Sequence, residues 1–157
     1  MKFKPEFHEP VLSNYVTSDF GERILNGGKQ FHDGIDFVNF DPTSKKYHTD
    51  KSVFAIADGI ISFDYDIYDE RFRWLRPQDS VGNMVILRIK IAGQDYCFRY
   101  CHLGINIVSV NQFVKRGQKL GEYADVGQSY GPHLHGDLSI GTVFDRTKKL
   151  DPKTLLC

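Results

Sequence analysis

The chain has 157 residues, about one domain's worth and enough for a substantial core. Its 41% hydrophobic and 25% charged content excludes collagen-like, disordered and disulfide-dense classes. Twenty Lys+Arg balance twenty Asp+Glu, so no net field draws it to nucleic acid, and no apolar run approaches the ~20 residues of a membrane helix.

In chain order, residues 1–17 read as an N-terminal extension to a single domain over 18–157. The opening Met1-Lys2-Phe3-Lys4-Pro5-Glu6 has no apolar h-region, so no signal peptide is expected. Helical periodicity is scarce and period-two alternation recurs, which predicts an all-β fold with little helix. At 31–37 an extended chain would put His32 and Asp36 on one face across Gly34, with Phe31, Ile35 and Phe37 turned to a core. Residues 39–51 are polar and turn-rich. Strands are predicted at 53–57 and 59–63, separated by the Asp58-Gly59 turn.

Residues 65–80 gather Tyr65, Tyr68, Phe72 and Trp74 among Asp69, Glu70, Arg71, Arg73 and Arg76. Such a segment is either a surface insertion with a short helix or a loop that contacts substrate. Alternation of Val85, Leu87, Ile89 and Ile91 predicts a half-buried strand over Asn83–Ile91, and Ala92-Gly93-Gln94-Asp95 a hairpin turn into 96–103. That second strand would carry Tyr96, Phe98, Tyr100 and His102 on one face, with Tyr100, like Trp74, a candidate substrate contact. Cys97 and Cys101 would then lie ~13 Å apart, beyond the ~7 Å limit for a bridge. With Cys157 the three thiols are read as reduced, in keeping with synthesis in the cytosol. Further strands fall at 120–124 and 133–140, and the last aligns His133, His135, Asp137 and Ser139 on one face.

Taken singly, each histidine cluster is more often a polar strand face than a site. A Cys101–His102 nucleophile pair is disfavoured because neighbours in a strand point to opposite faces. Imidazoles with a carboxylate, and no sulfur pair at finger spacing, suit zinc with an open position. His8 and His48 read as surface residues.

Together, these clusters resemble the lysostaphin-type (LytM-like) zinc metallopeptidases, which cut peptide bonds in bacterial peptidoglycan. Ser18-Asp19-Phe20-Gly21-Glu22-Arg23 is similar to that family's S-x-F-G-x-R, and His32-Asp33-Gly34-Ile35-Asp36-Phe37 to its H-x-G-x-D-F. Tyr100-Cys101-His102-Leu103, Val114-Lys115-Arg116-Gly117-Gln118 and Asp151-Pro152 follow in register. Gly127-Gln128-Ser129-Tyr130-Gly131-Pro132-His133-Leu134-His135 is similar to G-x-S-x-G-P-H-L-H.

The resemblance implies a mainly antiparallel β fold with a groove. His32, Asp36 and His135 would be ligands to one zinc per chain, and His102 and His133 unligated catalytic histidines. It implies a zinc endopeptidase acting on peptidoglycan peptides at the cell wall, as a phage lysin, a virion-associated peptidase or a product exported by another route. No nucleic acid or membrane insertion is implied. A non-catalytic peptidoglycan-binding or activator module of the same fold is the alternative. Gly136 and Asp137 depart from the family's aromatic-Glu, which predicts looser packing beneath His135.

Overall fold

In a computed structural model describing residues 1–66 and 81–157, the alternation over Asn83–Ile91 is realised as a strand. Val85, Leu87 and Ile89 are buried while Arg88 and Lys90 are exposed, as a strand with one face on a core requires. The first strands are β1 (Tyr15–Ser18), β2 (Gly21–Leu25), β3 (Gly28–His32), β4 (Ile35–Val38), β5 (Phe40–Asp41), β6 (Lys46–Tyr47) and β7 (Ser52–Phe54). Then come β8 (Gly59–Tyr65), β9 (Asn83–Ile91), β10 (Gln94–Asn106), β11 (Phe113–Val114), β12 (Lys119–Tyr123), β13 (Leu134–Ile140) and β14 (Lys149–Leu150). A ten-stranded antiparallel sheet runs in the order β1-β4-β13-β10-β9-β8-β11, with β12 on β10 and β7, and β14 on β13. β2–β3 and β5–β6 form separate hairpins. Helix α1 (Pro152–Leu156) closes the chain, with Pro at its first turn and the Asp151 carboxylate accepting from Lys153 N–H. Among the described residues, no helix is long and apolar enough to cross a membrane.

The core lies on one face of the sheet, where Ile35, Phe37, Phe98, Tyr100, Leu134 and Leu138 meet. Phe3, Phe7 and Val11, from the segment read as an extension, belong to the same core. Lys4 ties that segment to α1, its backbone N–H donating to Leu156 O and its ammonium to Leu155 O, each at 2.8 Å. Cys97, Cys101 and Cys157 are free thiols.

Three face assignments change. Residues 31–37 are not one strand: β3 ends at His32, and the chain bends at Asp33-Gly34 before β4. That bend turns Phe31 outwards against Phe20, whereas Ile35 and Phe37 enter the core as expected. Tyr100 is fully buried, its hydroxyl accepting from Ile56 N–H, so it cannot touch substrate. His102 leaves the face of Tyr100 because the ladder shifts register between Tyr100 and Leu103 and His102 itself takes φ 59°. Tyr65, in the aromatic segment, is likewise a core residue. Trp74 and the rest of that segment's aromatics and arginines lie outside the described residues.

Candidate active site

Antiparallel pairing puts opposed residues on the same face. β4 and β13 pair His135 with Asp36, and β13 and β10 pair His135 with Cys101 and Asp137 with Arg99. Ile35 and Phe37, the neighbours of Asp36, anchor the core side and leave its carboxylate facing the groove. The bend at Asp33-Gly34 folds His32 back over this row. A straight strand would separate positions 32 and 36 by ~13 Å. Instead His32 Nε2 stands 3.1 Å from Asp36 Oδ1 and 3.1 Å from His135 Nδ1, and His135 Nδ1 stands 2.9 Å from Asp36 Oδ1.

These three atoms fit a metal ion. His32 Nδ1 donates to Asp19 O at 2.8 Å, which leaves a lone pair on Nε2 aimed at the other two atoms. Arg23 engages Asp36 Oδ2 at 3.3 Å, leaving Oδ1 to the histidines. Two imidazole nitrogens and a carboxylate oxygen, all buried, thus converge and need a shared proton or cation between them. Burial alone would raise the Asp36 pKa, but the hydrogen bonds with His135 and His32 outweigh it and hold the carboxyl far below the usual range. Burial opposes charge on His135 too, yet the Asp137 and Asp36 carboxylates push it up to about 9 in the metal-free protein.

His102 and His133 face each other beside this cluster, with ring centroids 4.7 Å apart. His102 Nδ1 donates to Val126 O at 2.8 Å, and His133 Nδ1 to Gly131 O at 2.9 Å. Both rings therefore turn Nε2 to the groove, that of His133 lying 3.5 Å from Asp36 Oδ1. Burial, and then the neighbouring His133, pull the His102 pKa down to about 4. Gly82 makes room for this: a Cβ there would lie 2.8 Å from Val126 O and 3.2 Å from His102 Cα.

The cavity over these residues measures about 850 Å³, with Ser18, Phe31, Tyr47, Tyr130 and Arg146 among its walls. His48 also borders it, and the His8 ring packs tilted against Phe54. All five histidine and aspartate candidates are brought together, while Tyr100 is not. Arg23 and Arg99 had no role assigned from sequence. Arg23 ends the Ser18–Arg23 motif, but only the fold shows that its partner is Asp36.

A mainly antiparallel sheet with this groove and cluster defines the lysostaphin-like metallopeptidase class. Residues 30–152 match the model of peptidase family M23, and the chain belongs to that family. It is 39% identical over 135 residues to the peptidoglycan DD-endopeptidase ShyA of Vibrio cholerae, covering 83% of this chain and 26% of that protein. The DD-endopeptidase ShyC of the same organism is 22% identical over 94% of this chain and 30% of its own length. The chain thus spans less than a third of these relatives. Among solved structures, the catalytic domain of the antimicrobial peptidase lysostaphin from Staphylococcus simulans superposes with a TM-score of 0.63 at 27% identity, covering 90% of each chain. A point variant of the catalytic domain of prophage-encoded EnpA from Enterococcus faecalis gives 0.65 at 25% identity, covering 98% of this chain and 97% of its own.

Proposed function

We propose that this chain is a zinc-dependent endopeptidase that hydrolyses peptide bonds of bacterial peptidoglycan. One zinc per chain would be held by His32 Nε2, Asp36 Oδ1 and His135 Nδ1. The observation that carries this reading is the convergence of those three atoms within 2.9–3.1 Å. When bound, zinc supplies a Lewis acid for the scissile carbonyl and lowers the pKa of a water.

The chain's own groups supply the rest. His102, kept neutral by burial and fixed in its tautomer by Val126 O, presents an Nε2 lone pair that accepts a proton from attacking water and returns it to the departing amine nitrogen as the C–N bond breaks. His133, anchored through Nδ1 by Gly131 O, turns Nε2 towards the same side, where as an imidazolium it would donate to the carbonyl oxygen as negative charge develops there. The groove walls hold the peptide over this pair. The relatives from Vibrio are named DD-endopeptidases, which makes a D,D bond the first to test. A site of action at the cell wall follows from the same substrate, and the likeness to a prophage-encoded protein supports a phage source.

Elemental analysis of the purified protein, followed by mass spectrometry of digested sacculi, tests the reading. Wild type should carry about one zinc and release peptide fragments, and His135→Ala should lose both properties. His102→Ala and His133→Ala should keep the metal yet turn over roughly 10²–10⁴-fold more slowly, the usual reach of a general acid–base group. Full occupancy in His135→Ala would overturn the ligand set. A zinc-loaded wild type that cleaves no peptidoglycan would make the chain a binding module.

A further inference from the structure

Asp137 has no solvent exposure and is held on several sides. Arg99 donates to it twice, Nε to Oδ1 at 2.9 Å and NH2 to Oδ2 at 2.6 Å. Lys149 places its ammonium 2.6 Å from the same Oδ2 and also pairs with Asp33. The ring of Phe144 caps the Arg99 guanidinium at 4.4 Å. Burying this many charges costs more desolvation than their pairing commonly returns, so stability alone is a weak reason for the arrangement.

His135 is the site residue that this frame reaches. Its Nε2 lies 3.6 Å from Asp137 Oδ2 and 3.7 Å from Asp33 Oδ1, while Nδ1 on the opposite side faces Asp36 and His32. These separations lie within ion-pair range and beyond a hydrogen bond, so the hold on the ring edge is electrostatic. Gly34 closes over the same edge: a Cβ there would lie 2.6 Å from His135 Cε1 and Nε2. Asp33, His135 and Asp137 could by position form a second cation site, but the Lys149 ammonium already sits on both carboxylates.

We propose that Asp137, clamped by Arg99 and Lys149, is a positioning residue that holds the His135 ring with Nδ1 turned to His32 and Asp36. The inference rests on the zinc reading above. Carboxylates behind a ligating imidazole fix its orientation and raise its basicity, and their loss typically costs 10–100-fold in metal affinity.

Zinc affinity of the full chain, measured by competition with a chelator at fixed pH, tests this without reference to activity. Asp137→Asn keeps the size and the Oδ1 acceptor but removes the charge. It should bind zinc about 10–100-fold more weakly than wild type, and the visible spectrum of its cobalt-loaded form should shift. Should that variant fail to fold, the double variant Arg99→Gln/Asp137→Asn removes both charges together and carries the same comparison. Affinity and spectrum equal to wild type in a folded variant would overturn the positioning role and leave the zinc reading standing. A wild type with no zinc affinity would overturn the zinc reading and the inference with it.

Discussion

A neutral imidazole at position 102 follows from burial and from the other histidine rings close by, against the pull of the Val126 carbonyl, whose bond to Nδ1–H favours the charged form. Unfolded, such a ring titrates near 6.5; folded, it titrates at about 4, so the native state binds the proton less readily. The stability linked to this ring is therefore complete above about pH 6.5 and is lost as pH falls towards about 4. Thermal melts of the metal-free protein should show wild type losing more stability across that window than His102→Gln. Parallel slopes would mean that the ring is not kept neutral. The same ring sits at φ 59°, a conformation most residues avoid, so its aim into the groove is set by backbone that costs something to hold.

At the scale of elements, β13 lies between β4 and β10, and at Gly136 aromatic side chains from both neighbours close over its backbone. A Cβ there would lie 2.6 Å from Phe98 Cζ and 3.2 Å from Phe37 Cε2. The two rings fill the space that a side chain would need, so packing beneath His135 is tight, contrary to the looser packing expected from sequence. Gly136→Ala should cost about 1–3 kcal/mol by overpacking, readable in a denaturant titration, with an unchanged midpoint refuting the close approach. The long strands were legible because Val85, Leu87 and Ile89 alternate cleanly with exposed Arg88 and Lys90. The site's histidines were legible because they recur in a family pattern. What escaped notice depends on breaks in alternation or on pairing register. The register shift that re-aims His102, and the bend that joins His32 to Asp36, carry no periodic signal. The pairing of Arg99 with Asp137 spans 38 residues and exists only once β10 and β13 align.

For the whole molecule, both ends of the chain matter to the core. Phe3 and Phe7 are buried, and Lys4 is bonded to the last turn of α1. Burying each phenylalanine stabilises the fold by about 1.5–3 kcal/mol. A protein lacking residues 1–8 should therefore melt lower by on the order of 10 °C in calorimetry, a loss that a dispensable tail would not produce.

The cluster also has a temporal consequence. His135 meets Asp36 across 99 residues of sequence and His32 across 103. No local segment can assemble those three atoms, and loops of that length close late and slowly. During synthesis, a nascent chain that has not yet delivered β13 offers only His32 and Asp36, too few for a tight metal seat. If those atoms hold zinc as proposed, metal capture is then among the last events of folding, and its onset would report that the first and final thirds of the sheet have docked.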